Sequence, residues 1–532
     1  MLFLTVIIYS SMNNFADEYK IGVQMKNEEN INPFSAESEM YARWLDEATI
    51  TRDVKKLEIL LNDIEGILPD VDMASKARFY YSIGTVYSDF AKLKGETWES
   101  SLRKQLYCFR KSIECIKKPE YSKKEYEVHI KGFKCILYIN YGNALSSCGR
   151  IIEAIMQYKK VLDVHNSFGM ALGNLGRVYR YYGMLDYDAS HQHYFHHFAY
   201  SSFQKALNCT DPSTHREAKE CFRKLADNYD KNYIENVLSR KLEMPQIVYE
   251  SDEEEKYRRW ALENGLFLNT LNDLPVLDMC FAADVLQLPD MIVSIDAKPV
   301  FHGMFNQIKQ EYIYARYQYY CSLELREEPH FADKETHLIN FADYPQYGIR
   351  IEQLKSAFKT LYGLFDKTAY FINAYFDLGI RERDVSFSHI WFSEYGSGKK
   401  QYSYKNVLNH KENFALASLY WISRDFYDKF EDSPNPHLRR ISDVRNALEH
   451  KYVKVTKGWF PERENGEIDD LAFYVTEDEL STLTLELMRI VRETIICLSL
   501  CVHEEERKRH PDKDKKMIMS VPLMEYDDDW KI

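Results

Sequence analysis

One stretch of sequence indicates the architecture of the first half of this chain: Gly142-Asn-Ala-Leu-Ser-Ser-Cys-Gly-Arg-Ile-Ile-Glu-Ala-Ile-Met-Gln-Tyr-Lys-Lys-Val161. Its pattern-forming positions are Gly142, Leu145, Gly149, Ala154, Tyr158 and Val161. A small residue lets two helix backbones approach closely where they cross, and an aromatic ring fills the groove of the next hairpin. The stretch therefore predicts helices packed in close pairs.

The same pattern recurs along the chain. Thirty-four residues later its first three positions are taken by Gly176, Tyr179 and Gly183, and after a slip of eleven residues it resumes at Ala199, Phe203 and Ala206. An earlier copy comprises Tyr80, Gly84, Tyr87, Gln105, Phe109 and Ser112. This period resembles the tetratricopeptide repeat. The resemblance covers about residues 75–210 and implies stacked helical hairpins whose concave face binds a protein or peptide partner.

The eleven-residue slip introduces a group of histidines: His191, His193, His196 and His197. His193 and His197 are spaced i, i+4 and can share a metal ion on a helix. Neither an acidic residue nor a cysteine is clearly placed beside them, although Asp186 and Asp188 are near. An inserted loop or a helix extension is the favoured interpretation, and no metal or cofactor is predicted.

The bulk composition is that of a globular protein. The 532 residues are 45% hydrophobic and 28% charged, and a chain of this length has room for about two to four domains. A net charge of −13 argues against coating nucleic acid with the whole surface. A local basic cleft remains compatible with it, because salt confines the influence of a charge to roughly 10 Å.

The cysteines and the N-terminus indicate the cellular compartment of the protein. None of the ten cysteines forms a C-x-x-C pair, and Cys497 and Cys501 are expected to be buried free thiols, as in a reducing cytoplasm. The apolar run of residues 2–9 is far shorter than the about 20 residues that span a bilayer. A misassigned start, with Met12 in place of Met1, explains the run at least as well as a signal peptide. A soluble protein without membrane contact is expected.

The helical patterns predict an all-α fold: a solenoid of helical hairpins followed by a helical bundle with minor β decoration. The predicted domains are a flexible N-terminus at 1–36, helical repeats at 37–240, a linker region at 241–299, a bundle at 300–506 and a charged tail at 507–532. The acidic run 251–255 is expected to be a solvated linker or a helix start.

The bundle helices are predicted at Gln310–Leu325, Ile351–Leu378, Lys411–Phe430, His437–Tyr452 and Glu477–Glu506. Thr476 and Glu479 have capping-box spacing at the start of the last one, and the extended segments Asp384–Ser393 and Leu471–Val475 predict a small hairpin.

The strongest candidate for chemistry is the hexad Arg445-Asn446-Ala447-Leu448-Glu449-His450. If it lies on a helix, the apolar stripe comprises Ile441, Val444, Leu448 and Tyr452, and the opposite face comprises Arg439, Asp443, Asn446 and His450. Arg445 then lies about 140° from His450. The two meet only at a bent helix end, or where two helices approach across a subunit interface.

This region resembles the HEPN superfamily (higher eukaryotes and prokaryotes nucleotide-binding), whose ribonucleases carry Arg-x(4–6)-His, often with a polar residue after the arginine. Here the matching residues are Arg445, Asn446 and His450. Trp260–Leu274 and the repeats before it look similar to one prokaryotic branch. The resemblance implies a metal-independent endoribonuclease of toxin or defence type, in which two HEPN domains pair as a homodimer and both motifs line one cleft.

These residue types suit RNA cleavage by the ribose 2′-OH. A histidine can act as base or acid, and an arginine binds phosphate oxygens with two parallel donors. Asn446 can orient the imidazole or contact phosphate. The local basic residues outnumber the acidic residues Asp443 and Glu449; they are Arg439, Arg440, Arg445, Lys451, Lys454 and Lys457. Of these, Arg439, Arg440 and Lys451 are predicted to hold flanking phosphates.

Other interpretations remain open. Arg445 and Glu449 can form a plain surface ion pair, and the bundle can be catalytically silent in a non-enzymatic protein–protein adaptor. Arg383-x5-His389 also satisfies the bare motif, but Asp384 follows its arginine and would repel phosphate. The segment 396–400 lacks the full phosphate-loop pattern and is interpreted as a flexible basic turn that can contact RNA.

Overall fold

The fold is all-α, as predicted, in this computed structural model. The structure describes residues 31–210, 214–240, 242, 244–276, 278–294, 296–324, 329–339, 345–395, 401–404, 408, 412–427, 435–458, 471–510, 519 and 521–531. The predictions for the extreme N-terminus, for the basic turn 396–400 and for part of the charged tail lie outside these residues.

The first half consists of antiparallel helical hairpins. Its helices are α1 Ala36–Ile50, α2 Val54–Ile67, α3 Met73–Lys94, α4 Trp98–Ile116, α5 Glu127–Ser147, α6 Ile151–Val164, α7 Gly169–Leu185, α8 Ala189–Asn208 and α9 Arg216–Asp227. Side-chain caps define several starts: Ser35 accepts from the Ser38 amide, and Asp72 accepts from the Ser75 amide. Helices α3 and α4, α5 and α6, and α7 and α8 pack as pairs.

The small residues lie where the pairs cross, as predicted. A Cβ added at Gly142 would lie 2.6 Å from the Tyr158 ring, and one at Gly176 would lie 2.7 Å from the Phe203 ring. Both distances are shorter than carbon atoms tolerate, so a larger residue would force the ring or the helix to move. The close approach of the helices is therefore confirmed, whereas the likeness to tetratricopeptide repeats stays a prediction.

The second half is the helical bundle. Its helices are α10 Asp252–Glu263, α11 Val300–Glu324, α12 Ile349–Tyr375, α13 Phe414–Tyr427, α14 Pro436–His450 and α15 Glu477–Arg509. The acidic run is a helix start, because the Ser251 hydroxyl caps α10. Helix α11 begins ten residues before the predicted Gln310, directly after Pro299, a residue suited to the start of a helix. The Thr476 hydroxyl accepts from the Glu479 amide at 3.0 Å, which confirms one half of the predicted capping box, whereas the Glu479 carboxylate binds Arg440.

Four short strands decorate the described part of the bundle. Strand β1 (Phe392–Tyr395) pairs antiparallel with β2 (Gln401–Tyr404), and β3 (Tyr452–Thr456) pairs in parallel with β4 (Ala472–Thr476). A small hairpin is therefore present, but the prediction for Asp384–Ser393 was wrong over most of its length. Only its last two residues belong to a strand, and a 3-10 turn occupies 382–384.

Helix α14 ends two residues earlier than predicted. Tyr452 opens β3 and is exposed, so it does not continue the apolar stripe of the helix. The valines and threonine of residues 453–456 favour extended backbone, and their pairing with β4 supplies the hydrogen bonds.

The two halves share one hydrophobic core that extends from Phe34 to Val502. Residues 266–274, inside the predicted linker region, are buried in it. Arg492 of α15 binds Asp273 at 2.8 Å and donates to the Phe267 carbonyl at 2.6 Å. Part of the predicted linker region therefore packs between the repeats and the bundle.

Cys497 and Cys501 are buried free thiols, as predicted. Among the helices described, none combines the length and the apolar character needed to cross a bilayer.

Candidate active site on helix α14

Helix α14 has one buried face and one exposed face. Its buried residues are Leu438, Ile441, Val444 and Ala447, with Leu448 partly buried at the edge. The exposed residues include Arg439, Asp443, Asn446 and His450. The predicted separation of faces is confirmed apart from Tyr452. The apolar stripe holds the helix on the bundle and leaves the polar part of the hexad in solvent.

Arg445 lies between these two faces and is half-buried. Its guanidinium carbon is 5.2 Å from the centre of the Tyr362 ring, and its Nη1 donates to Oδ1 of Asn446 at 3.1 Å. The Tyr362 hydroxyl is 3.4 Å from Oγ of Ser442, one turn earlier on α14. A cation held over an aromatic face loses part of its freedom of movement. Tyr362 thus supports the guanidinium that the hexad presents.

Tyr362 was not foreseen from the sequence. It lies on α12, 83 residues before Arg445, and nothing in its local pattern distinguishes it from the other buried aromatic residues of that helix.

The open alternative for Arg445, a surface ion pair with Glu449, is not formed within the described part of the chain. Glu449 and His450 are both exposed in the last turn of the helix. Lys451 follows them, and its backbone amide donates to the Ala447 carbonyl at 2.8 Å. Arg445 therefore points toward Tyr362 and Asn446, and His450 stands at the helix end.

The basic residues around the hexad separate into two groups. Arg440 is engaged: its guanidinium makes two bonds to the Glu479 carboxylate, at 2.6 and 3.1 Å. Lys454 is only 3% exposed, and its ammonium lies between the rings of Tyr452 and Tyr474, at 5.1 and 5.7 Å. The outward-facing cations are Arg439, Lys451 and Lys457, whereas Arg445 is half-buried. The exposed basic face is smaller than the sequence indicated.

The second match to the bare motif occupies a different setting. Arg383 Nε is 3.9 Å from the carboxylate of Asp384, and the His389 Nδ1 atom is 2.8 Å from Ser386 Oγ and 2.7 Å from Ser388 Oγ. An acidic group stands beside this arginine, as the sequence suggested. The pair remains a poor candidate for phosphate binding.

The four inserted histidines all lie on α8, so the insertion is a helix extension. His191 Nδ1 is 2.8 Å from Thr270 Oγ1, and His196 Nδ1 is 3.1 Å from the Tyr229 hydroxyl. Burial lowers the pKa of His196 and of His197. The described ranges contain no group of three or more histidine, cysteine or acidic side chains that could hold a metal ion.

The hexad, its supporting tyrosine and the surrounding helices fall within a single family match. The family model described as LA2681-like HEPN matches residues 292–505. The match supports a HEPN domain over these residues. The match begins at 292 where the predicted bundle begins at 300, and it contains both α12 and α14. No curated protein and no solved structure matches the chain.

Proposed function

We propose that the chain is a metal-independent endoribonuclease of toxin or defence type, with Arg445, Asn446 and His450 as its catalytic residues. One observation carries this proposal: within the HEPN domain the hexad lies on α14 with Asn446 and His450 exposed and with Arg445 held over Tyr362. A general base and a guanidinium on a solvent-facing helix can reach an RNA backbone directly.

In the proposed reaction the ribose 2′-OH attacks the adjacent phosphorus. His450 takes the 2′-OH proton, or delivers a proton to the departing 5′-oxygen, since imidazole can perform either step near neutral pH. Arg445 binds the phosphorane oxygens, whose negative charge grows in the transition state. Asn446 holds the guanidinium through its amide oxygen. The products are a 2′,3′-cyclic phosphate and a 5′-hydroxyl end.

A second copy of the chain is part of the proposal. On one helix Arg445 and His450 are about 140° apart, so a shared phosphate is reached more readily between two α14 helices than on one. An apolar surface beside the helix end supports self-association. Tyr452, which opens β3, is 42% exposed, and Leu471, which precedes β4, is 84% exposed. Tyr347 is 50% exposed and follows Gln346, whose backbone amide donates to the Val455 carbonyl of β3. Aromatic and aliphatic residues exposed in this way favour burial in an interface.

The repeats supply the regulatory part of the proposal. Stacked hairpins present an extended surface that suits a protein or peptide partner. Coupling such a surface to a nuclease lets a bound partner restrain or release RNA cleavage.

Cleavage is expected to persist in EDTA. Purified protein incubated with tRNA or mRNA and excess EDTA should produce fragments that end in 2′,3′-cyclic phosphate and 5′-hydroxyl, because the proposed groups need no metal. End-group analysis by enzymatic phosphorylation and by mass spectrometry checks this result. A strict requirement for magnesium would contradict the proposal, and failure to cleave any RNA would favour the adaptor alternative.

The exposed cations are expected to contribute to RNA affinity. Replacing Arg439 or Lys451 by alanine should raise KM with little change in kcat, and should reduce the slope of log affinity against log salt by about 0.7 for each lost phosphate contact. Arg440→Ala should change the slope less, because Glu479 already holds that guanidinium. Fluorescence titration of labelled RNA at several salt concentrations measures these slopes. Equal slopes for Arg439→Ala and the unmodified chain would remove Arg439 from the binding surface.

A further inference from the structure

The repeats and the HEPN domain meet in a buried ionic cluster centred on Asp425 of α13. Arg110 of α4 donates from Nη1 and Nη2 to the two carboxylate oxygens, at 2.7 Å each. Arg150, the residue before α6, donates to the same carboxylate at 2.7 Å and reaches Glu493 of α15 at 3.1 Å. Asp425 is fully buried. Two arginines of the repeats thus bind one buried carboxylate of the HEPN domain.

Further contacts hold α13 against the repeats. The backbone at Gly149 has a φ of +89°, and a Cβ there would lie 2.4 Å from the carbonyl oxygen of Phe414. The Phe414 ring lies 4.7 Å from that of Tyr181, and the rings of Trp98 and Trp421 are 6.0 Å apart. The contacts occur at the start, middle and end of α13. The helix therefore contacts the repeats along its whole length.

The other side of α13 leads to the hexad. Phe426 adjoins Asp425 in sequence and points about 100° away from it around the helix. Its ring packs on Phe365 and Tyr362 of α12, with centroids 4.9 and 6.1 Å apart. The Tyr362 ring carries the guanidinium of Arg445 at 5.2 Å. A continuous chain of contacts thus joins the repeats to the hexad.

We propose that Asp425 is a positioning residue through which the repeats set the placement of Arg445. A buried carboxylate that loses its arginines is an uncompensated charge, so α13 moves with α4 and α6 rather than separating from them. A partner that shifts these helices shifts Phe426, then Tyr362, then Arg445. The consequence for RNA cleavage rests on the proposed function, whereas the mechanical coupling does not depend on it.

The coupling is tested in the full chain by hydrogen–deuterium exchange of residues 436–450. Asp425→Asn keeps the shape of the side chain and removes its charge. The amides of α14 are expected to exchange about tenfold faster or more. Asp273→Asn is the matched control, since Asp273 is also a buried carboxylate held by an arginine, Arg492 of α15. It should leave exchange in α14 unchanged at equal distance from each variant's urea midpoint.

Two more variants separate a charge effect from loss of packing. Asp425→Glu keeps the charge and is one methylene longer, so it should protect α14 better than Asp425→Asn. Phe426→Leu leaves the ionic cluster intact and interrupts the next contact, so it should also speed exchange in α14, even if Asp425→Asn fails to fold. Unchanged exchange in Phe426→Leu, better protection by Asn than by Glu, or equal loss in Asp273→Asn would each overturn the proposal.

The activity readout distinguishes the two proposals. Asp425→Asn is expected to lower kcat about tenfold with KM unchanged, because Arg439 and Lys451 are untouched. If the unmodified chain cleaves no RNA while Asp425→Asn still loosens α14, the nuclease proposal fails and the coupling stands. If cleavage is present and Asp425→Asn leaves kcat unchanged, the positioning role fails and the nuclease stands.

Discussion

His450→Ala, assayed in EDTA, is expected to lower kcat for RNA cleavage by about 10²–10⁴, the usual contribution of a positioned general base or acid. KM should change little, because the exposed cations that hold the RNA backbone remain. Single-turnover cleavage of an end-labelled RNA measures the loss. The side chain is exposed in the last turn of α14, so its removal leaves the core intact and the loss reports on chemistry.

The chain supplies its own matched control. His389 also follows an arginine at the spacing of the bare motif, and it is likewise exposed. His389→Ala should leave kcat unchanged. Equal losses in the two variants, or wild-type activity in His450→Ala, would contradict the assignment.

Arg445 offers a second test of the same site. Arg445→Lys keeps the positive charge and loses the planar pair of donors, so kcat should remain well below that of the unmodified chain. Recovery of full activity by lysine would mean that only net charge matters there. Circular dichroism and urea unfolding of each variant establish that the fold is intact.

Gly149→Ala is expected to destabilise the chain by about 3 kcal/mol or more. Two effects add at this position: an alanine at positive φ costs about 1–2 kcal/mol, and its Cβ would lie 2.4 Å from the Phe414 carbonyl oxygen. Relief of that clash requires α13 to move away from the repeats. Urea unfolding followed by tryptophan fluorescence measures the change, because the rings of Trp98 in the repeats and Trp421 in α13 lie 6.0 Å apart.

Gly95→Ala isolates the contact from the backbone strain. Gly95 has a φ of +72°, and nothing lies within 4 Å of a Cβ placed there. It should therefore show only the conformational cost of about 1–2 kcal/mol. If both variants lose the same stability, the close approach of Gly149 to α13 contributes nothing measurable.

Local sequence patterns predicted a structural feature well where neighbouring residues are enough to produce it. The cap at Thr476 depends on a hydroxyl and an amide three residues apart, and the buried stripe of α14 depends on helical spacing alone. The crossings at Gly142 and Gly176 were visible because the same small residues recur at a fixed period. In each case the residues that produce the feature are recognisable from their spacing in the sequence.

Predictions failed where a residue distant in sequence determines the local structure or the exposure of a side chain. Tyr452 leaves the helix because β4 pairs with its strand from twenty residues further along the chain. Lys454 is buried between two tyrosines, so a residue counted as part of the basic surface is absent from it. Arg440 is engaged by Glu479, a partner that local spacing does not reveal.

The helical class, the hairpin pairs and the position of the hexad on an amphipathic helix follow from the amino-acid sequence alone, since the spacing of small, apolar and polar residues along one backbone is sufficient for these. The surroundings of Arg445, the set of cations that face solvent and the contacts between the repeats and α13 depend on tertiary packing. Those features arise from side chains far apart in the chain, such as Arg110 and Asp425, and they form only when separate helices have packed into one core.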